Sequence, residues 1–332
     1  MRKIRIAQIG INLYSHGGEI FETIKSLPDY FEVVGYTLVE NEAEISKHKL
    51  GVFEGVPYLT LDEILSDPTI EAVTVETDEV HLLKYAIMAA EAGKHIHMEK
   101  PGSQSVADFE RLVSVMKRTG KTLTLGYMYR YHPEIIELIN RVKSGELGKV
   151  FSVQADMDIL HTDEHRAWQQ NFKGGMTFYL GCHLIDLAML ILGDPNEVIP
   201  VNFSVEPDRL LTGDFGMTVM KYDSAVAVVR ECGAVRGGHT RRSLKVCGTL
   251  RTVEICPLEY FPSGIVYPDM VADVSESEGY GDVKSRTSEV FHRYRDMMIA
   301  FHDYVCGKEN PYSLDYELKL FKTVMRACGF EA

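Results

Sequence analysis

Between residues 4 and 125 the chain alternates short β-branched apolar runs with stretches of helical periodicity, and few architectures accommodate that alternation. Ile4–Ile9 reads as a strand, Glu19–Leu27 as a helix and Phe31–Val39 as a second strand. Leu61–Ser66 reads as a short helix behind Thr60, a residue type that caps helix starts. Ala72–Val75 is a buried strand, and Glu79–Ala92, rich in Ala, Leu and Met, is a helix that Gly93 ends. Lys94–Met98 is the next strand. Ser105 and Asp108 have capping-box spacing for a helix reaching Arg118, and Thr122–Gly126 closes the series. This β-α-β repetition predicts an α/β domain over residues 1–125, a doubly wound parallel sheet of Rossmann type with helices on both faces.

After residue 126 the alternation stops. A helix over Glu134–Lys143 leads into strand-like stretches at Val150–Met157, Val198–Val205, Phe215–Tyr222, Ala225–Arg230, Ser243–Cys247 and Arg251–Ile255. A helix near Tyr179–Leu192 interrupts them, and helices near Glu289–Cys306 and Ser313–Cys328 end the chain. The pattern predicts a second, α+β domain over residues 126–332 with a large, mostly antiparallel open sheet. The outer face of such a sheet suggests pairing into a homodimer or homotetramer.

The balance of 35 basic and 48 acidic residues, a formal net charge of −13, repels phosphate backbones, and no Lys/Arg block overrides it. Nucleic acid and anionic membranes are therefore excluded as partners. The N-terminal apolar run is too short for a signal peptide, and no stretch approaches the roughly 18 apolar residues of a membrane span. The 6 cysteines are scattered without CxxC spacing and read as reduced thiols. The expected location is the cytoplasm.

Three segments carry candidate chemistry. The first strand runs into Gly10-Ile11-Asn12-Leu13-Tyr14-Ser15, where a dinucleotide fingerprint wants small residues so that backbone N–H groups can approach a pyrophosphate. Gly10 is present, and Asn12 and Ser15 stand in the other two glycine places. Glu40, at the end of the second strand, is placed to hydrogen-bond a ribose 2′-OH, and no Arg stands nearby to meet a 2′-phosphate. NAD is therefore the expected cofactor, with NADP possible. The strand into Glu99-Lys100-Pro101 delivers a lysine to the carboxyl edge of the sheet, where open α/β sheets bind ligands.

The third segment runs from Trp168 through Gly174-Gly175 to Tyr179, Gly181, His183 and Asp186. Residues four apart share a helical face, which pairs Tyr179 with His183, and Asp186 is spaced to orient the imidazole. The glycines argue for close approach of another group. His161, Asp163, Glu164 and His165, with Asp156 and Asp158, are metal-ligating residue types, but they fall on a loop. We read that loop as the border of a substrate pocket with no metal, Trp168 covering a sugar ring face. His239, Arg241 and Arg242 read as an exposed basic turn, or as cations for a carboxylate-bearing substrate.

Taken together, these segments resemble the Gfo/Idh/MocA oxidoreductase family, which includes glucose–fructose oxidoreductase and inositol dehydrogenase. The resemblance runs through Glu71–His81, Ala92–Pro101, Gly126–Pro133, Gly145–Val150 and Gly174–Asp186. It implies a nicotinamide cofactor on the first domain, held by Gly10, Ile11, Asn12, Leu13, Ser15, Glu40, Thr77, Asp78, His81, Glu99 and Lys100. It implies a polyol or sugar on the second, met by Arg130, His161, Trp168 and His183. Lys100 then touches the nicotinamide ribose and the reacting hydroxyl, and His183 moves the hydroxyl proton. Tyr179 stands where the family has an acid, and a phenol brings no negative charge at neutral pH. Met128 and Asp78 are further departures, from an Asn and a Pro.

The expected function is NAD(P)-dependent hydride transfer to or from a hydroxyl-bearing carbon of a sugar, sugar acid or cyclitol. Two alternatives stay open. One is a non-redox or silent member that binds a nucleotide or sugar as a sensor or subunit; the other is NAD-assisted elimination or glycoside cleavage.

Overall fold

The computed structural model describes residues 2–262 and 268–330. Two units divide the chain. The first runs to Gly126 and includes Tyr294–Phe321; the second is Tyr127–Arg293 with the chain from Lys322 onward.

In chain order the first unit's elements are β1 (Ile4–Ile9), α1 (Gly17–Lys25), β2 (Phe31–Thr37), α2 (Glu42–Ile45), α3 (Leu61–Ser66) and β3 (Ala72–Val75). They continue with α4 (Leu82–Glu91), β4 (His95–Met98), α5 (Val106–Thr119) and β5 (Leu123–Leu125). The five strands are parallel in the order β2-β1-β3-β4-β5. A single parallel bridge from Tyr36 to Tyr58 extends the β2 edge, with Tyr36 N donating to Pro57 O and Leu59 N to Tyr36 O. The third strand of the first mononucleotide half is thus reduced to one bridge, and the order is that of a dinucleotide-binding sheet. Its direction of winding reverses between β1 and β3, so the carboxyl ends of those strands form the ligand crevice. Both strands are buried on both faces, as β-branched runs without polar alternation require. Thr60 and Glu63 form the reciprocal capping box that opens α3, and Ser105 accepts from Asp108 N at the start of α5.

The second unit contributes α6 (Pro133–Lys143), β6 (Val150–Asp158), α7 (Asp163–Trp168), α8 (Cys182–Leu192) and β7 (Glu197–Phe203). Then follow β8 (Phe215–Lys221), β9 (Val226–Cys232), β10 (Ser243–Gly248), β11 (Thr252–Ile255), β12 (Asp269–Met270), β13 (Asp273–Ser277), β14 (Val283–Thr287) and β15 (Phe291–His292). Eight of these strands make one sheet, β14-β13-β11-β10-β6-β9-β8-β7, antiparallel except at β6–β9. The β13–β14 hairpin escapes sequence reading because β14, Val-Lys-Ser-Arg-Thr, is exposed along its whole length and carries no apolar alternation.

The last helices are α9 (Arg295–Val305) and α10 (Leu314–Ala327). The expected second domain of residues 126–332 is corrected here, because Tyr294–Phe321 belongs with the first unit. The apolar face of α9 and the start of α10 explain it. Phe321 stacks on Phe109 at 4.2 Å, Phe301 meets His97, and His302 Nε2 donates to Arg2 O at 2.8 Å. α9 also starts later than expected, since Phe291–His292 pairs with Asp269–Met270 as β15 with β12.

Candidate functional site

The first half of the site is the crevice between β1 and β3. Gly10 has φ +84°, and a Cβ there would lie 2.8 Å from Thr77 Cβ, so glycine is required. Asn12 occupies the second glycine place by tying the loop down. Its N–H donates to Glu76 O, its Oδ1 accepts from Tyr14 N, and its Nδ2 donates to Glu79 Oε2 at 2.6 Å. Ser15 Oγ accepts from Gly17 N at the start of α1. Ile11 turns its side chain into a cluster with Phe21 and Phe53. Leu13 is half-buried beside them. Lys49 Nζ closes the loop from the other side, donating to Asn12 O at 3.0 Å and Ser15 O at 2.7 Å.

Carboxyls surround this loop to a degree that single-letter motifs do not reveal. Burial pushes Glu79 up to about 8, with Lys100 pulling the other way. Burial, with Glu99 beside it, holds Glu76 well above the ordinary carboxyl range. Glu79 is therefore largely a neutral acid near pH 7, and the Glu76 oxygens are buried without a hydrogen-bond partner. The residues fit a dinucleotide. A glycine that admits no Cβ opens the crevice, the N-cap residue of α1, His16, makes no side-chain cap, and the Glu79 carboxyl beside Asn12 does not repel phosphate in its neutral form.

Glu40, just past β2, is tied to α4. Its Oε1 accepts from Lys84 Nζ and Tyr85 OH, each at 2.7 Å, and His81 Nδ1 lies 3.9 Å away. Lys84 is a cation that reading missed: the search for an Arg along β2 could not see a residue delivered by α4. Asp78 is half-buried and its Oδ1 accepts from Val80 N. Lys100 is 4% exposed and precedes Pro101 through a cis peptide; its N–H donates to Glu99 Oε2 at 2.5 Å. Glu99 packs against Gly126, where a Cβ would lie 3.0 Å from Oε2.

The second unit assembles the other candidates. His183 lies in the first turn of α8, buried, with the edges of Tyr127 and Tyr129 against it at 5.7 and 5.3 Å. Asp186 takes Arg130 Nε and Nη2 at 2.8 and 2.9 Å, so its carboxylate is occupied by a guanidinium and Arg130 anchors α8. Tyr129 OH donates to Glu259 Oε1, which also accepts from Arg242 and Arg293. Burial opposes the Glu259 charge, but Arg293 and Arg242 hold it down to about 2. Arg242 is therefore neither an exposed basic turn nor an open cation; it is buried and paired.

Tyr179 lies in a π-helical turn, Thr177–Gly181, that runs into α8. A π turn holds more residues than an α turn, so the four-residue spacing to His183 does not stack the two side chains as an α-helix would. The Tyr179 ring packs against His161, His165 and Trp168 at 5.9, 5.3 and 5.3 Å. The expected loop here is instead α7, capped by Thr162. His161 stacks on His165 at 3.7 Å, and burial with the neighbouring His165 pushes its pKa down to about 2. Asp163 is turned to Arg209 and Arg166, and Asp156 and Asp158 to Arg230. The glycines admit the protein's own chain: Gly174 abuts Cys328, Gly175 the carbonyls of Thr212 and Gly213, and Gly181 the Glu231 carboxyl. Glu231, on β9, was not foreseen; Gly216 inside β8 and Gly181 inside a helix were its signals.

Residues 4–127 match the model of the oxidoreductase family with NAD-binding Rossmann fold, and residues 135–254 that of the GFO/IDH/MocA C-terminal domain. An uncharacterized oxidoreductase of Rhizobium meliloti is 36% identical over 45% of each chain. The myo-inositol 2-dehydrogenase of Thermotoga maritima is 26% identical over 84% of this chain and 80% of its own. The chain spans about half or less of the length of the first curated relatives it matches. A 3-ketoreductase of Actinomadura kijaniata, solved with NADP and TDP-benzene, superimposes with a TM-score of 0.77 at 19% identity, over 97% of this chain and 96% of its own. Among the described residues no helix is long and apolar enough to cross a membrane.

Proposed function

This chain belongs to the Gfo/Idh/MocA oxidoreductase family, and we propose that it is an NAD(P)-dependent oxidoreductase acting on a hydroxyl-bearing carbon of a sugar, sugar acid or cyclitol. The dinucleotide, when bound, supplies the nicotinamide that accepts or returns the hydride. Gly10, Asn12 and Ser15 shape its loop, and Glu40 with His81 meets the adenosine ribose. Thr77, Asp78 and Glu99 line the remaining crevice. The Lys100 ammonium stabilises the oxygen that develops alkoxide character. His183 takes the hydroxyl proton, a task suited to imidazole near pH 7. Tyr179, His161 and Trp168 border the sugar.

The observation that carries this reading is the setting of His183, held edge-on by two tyrosines at the start of a helix that a buried ion pair pins. Exposed Val201 and Phe203 on β7 support the accompanying proposal of a homodimer or homotetramer. A thermal-shift series with NAD, NADP and their reduced forms tests the cofactor assignment, since excess ligand raises the midpoint by linkage. A rise with one pair of nucleotides is expected; no shift and no binding by equilibrium dialysis at millimolar ligand would remove it. The crowd of acids around the loop favours one other reading, a ligand-binding member without turnover, which would bind nucleotide or sugar yet reduce no dinucleotide.

A further inference from the structure

In the second unit, three hydrogen-bonding groups can be counted proton by proton. Asn202 Nδ2 donates to Ala327 O at 2.9 Å, which fixes the amide and leaves its Oδ1 as an acceptor. Thr177 Oγ1 lies 2.7 Å from that Oδ1 and 2.5 Å from Glu231 Oε1. A hydroxyl has a single proton. Given to Asn202, it is not available to Glu231; given to Glu231, it leaves two acceptor oxygens pressed together. Both contacts are hydrogen bonds only when Glu231 carries its own proton and donates it to Thr177 Oγ1.

The surroundings agree. Glu231 is fully buried, and its Oε2 is buried without a hydrogen-bond partner, a costly place for a charge and a milder one for an acid's carbonyl. The backbone closes on the group from two sides. A Cβ at Gly181 would lie 2.7 Å from its carboxyl carbon, and one at Gly216 would lie 2.1 Å from Oε1. Asp158 and Asp156, from β6, oppose ionisation; Arg230, on β9, favours it but is shared with both aspartates. The Cys328 thiol, just past the end of α10, is a further titratable neighbour.

We propose that Glu231 is a positioning residue, a neutral acid whose proton pins the π-helical turn Thr177–Gly181, and that its ionisation releases this turn. The turn carries Tyr179 and runs into Cys182 and His183, so its release disturbs the proton-transferring face; that last step rests on the function proposed above. Burial places the dissociation at about 7, within reach of ordinary buffers.

The chain has 1 tryptophan, Trp168, and it meets Tyr179 edge-on at 5.3 Å. Its fluorescence therefore reports the turn without any need for turnover. In a titration of the full chain from about pH 5.5 to 9, the wild type is expected to show one transition near neutrality. Glu231→Gln, whose amide still donates to Thr177 but does not titrate, is expected to hold the low-pH signal throughout. Thr177→Val, which removes the acceptor for the acid's proton, is expected to move the transition to lower pH. A flat wild-type titration, a transition that persists in Glu231→Gln, or an upward shift in Thr177→Val would each overturn the proposal. With a substrate in hand, kcat is expected to fall on the alkaline side in the wild type and not in Glu231→Gln. A protein that turns nothing over still gives the fluorescence answer, so the failure of the functional reading and of this one are separable.

Discussion

Asp186 accepts from Nε and Nη2 along one edge of the Arg130 guanidinium, and each side chain is 2% exposed. The same guanidinium lies 4.5 Å over the ring of Tyr127, whose edge faces His183. Removing either partner strands a buried charge, and such losses cost about 3–5 kcal/mol. Arg130→Met and Asp186→Leu singly are each expected to lower the unfolding free energy from urea titration by that order, while the double variant recovers most of the loss. Additive losses in the double variant would show that the pair is not coupled.

The acids around the dinucleotide loop make cofactor affinity depend on pH. Glu79 dissociates at about 8 because burial disfavours its charge. Above that pH an anion stands beside Asn12 in the loop proposed to hold the diphosphate, and repulsion between like charges is expected to weaken Kd by about tenfold. NAD(H) is expected to bind more weakly at about pH 9 than at about pH 7, and Glu79→Gln to flatten the dependence. Isothermal titration at the two pH values decides it; equal slopes in both proteins would clear Glu79 of any part.

The roles proposed for Tyr179 and His183 are unequal. His183→Ala is expected to lose most activity and Tyr179→Phe only part, because phenylalanine keeps the ring packing on His161, His165 and Trp168. A dead Tyr179→Phe beside an active His183→Ala would reverse the two roles.

Buried histidines and buried acids oppose each other in the stability of the fold. Burial lowers His97 to about 3 and His161 to about 2, so their contribution is intact above the unfolded value near 6.5 and is lost as pH falls through the window down to those values. Burial raises Glu79 to about 8 and Glu231 to about 7, so their contribution is intact below about 4.5 and is lost as pH climbs to those values. Between about pH 4.5 and 6.5 the two trends offset, and above that range only the acids act. Thermal midpoints are expected to form an acid-shifted plateau that declines above pH 7. A midpoint that kept rising to about pH 9 would contradict the neutral acids.

The period of the apolar pattern made the Rossmann sheet legible, because a strand buried on both faces has to be a continuous β-branched run, as Ile4–Ile9 and Ala72–Val75 are. It could not assign the last helices: Phe301 and Phe321 announce an apolar face without naming the unit that buries it. The π turn was also hidden, since Thr177–Gly181 has no composition that distinguishes it from an α turn. The contact that marks it joins Thr177 to Glu231, 54 residues apart in sequence. Lys100 and His183 stood out through their motifs, whereas Glu76, Glu79 and Lys49 converge on one loop only through the fold.

The account stands most directly on dinucleotide reduction by the wild type and Lys100→Ala, followed at the reduced-nicotinamide absorbance with a panel of cyclitols, aldoses and sugar acids. Lys100 is 4% exposed at the carboxyl edge of the Rossmann sheet, and losing such electrostatic help typically costs about 10²–10³ in rate. The account predicts reduction of NAD or NADP with at least one polyol or sugar by the wild type, and a loss of that size in a Lys100→Ala protein that unfolds at the wild-type midpoint. A wild type that binds the dinucleotide but reduces it with none of the panel, or a Lys100→Ala protein as fast as the wild type, would contradict it.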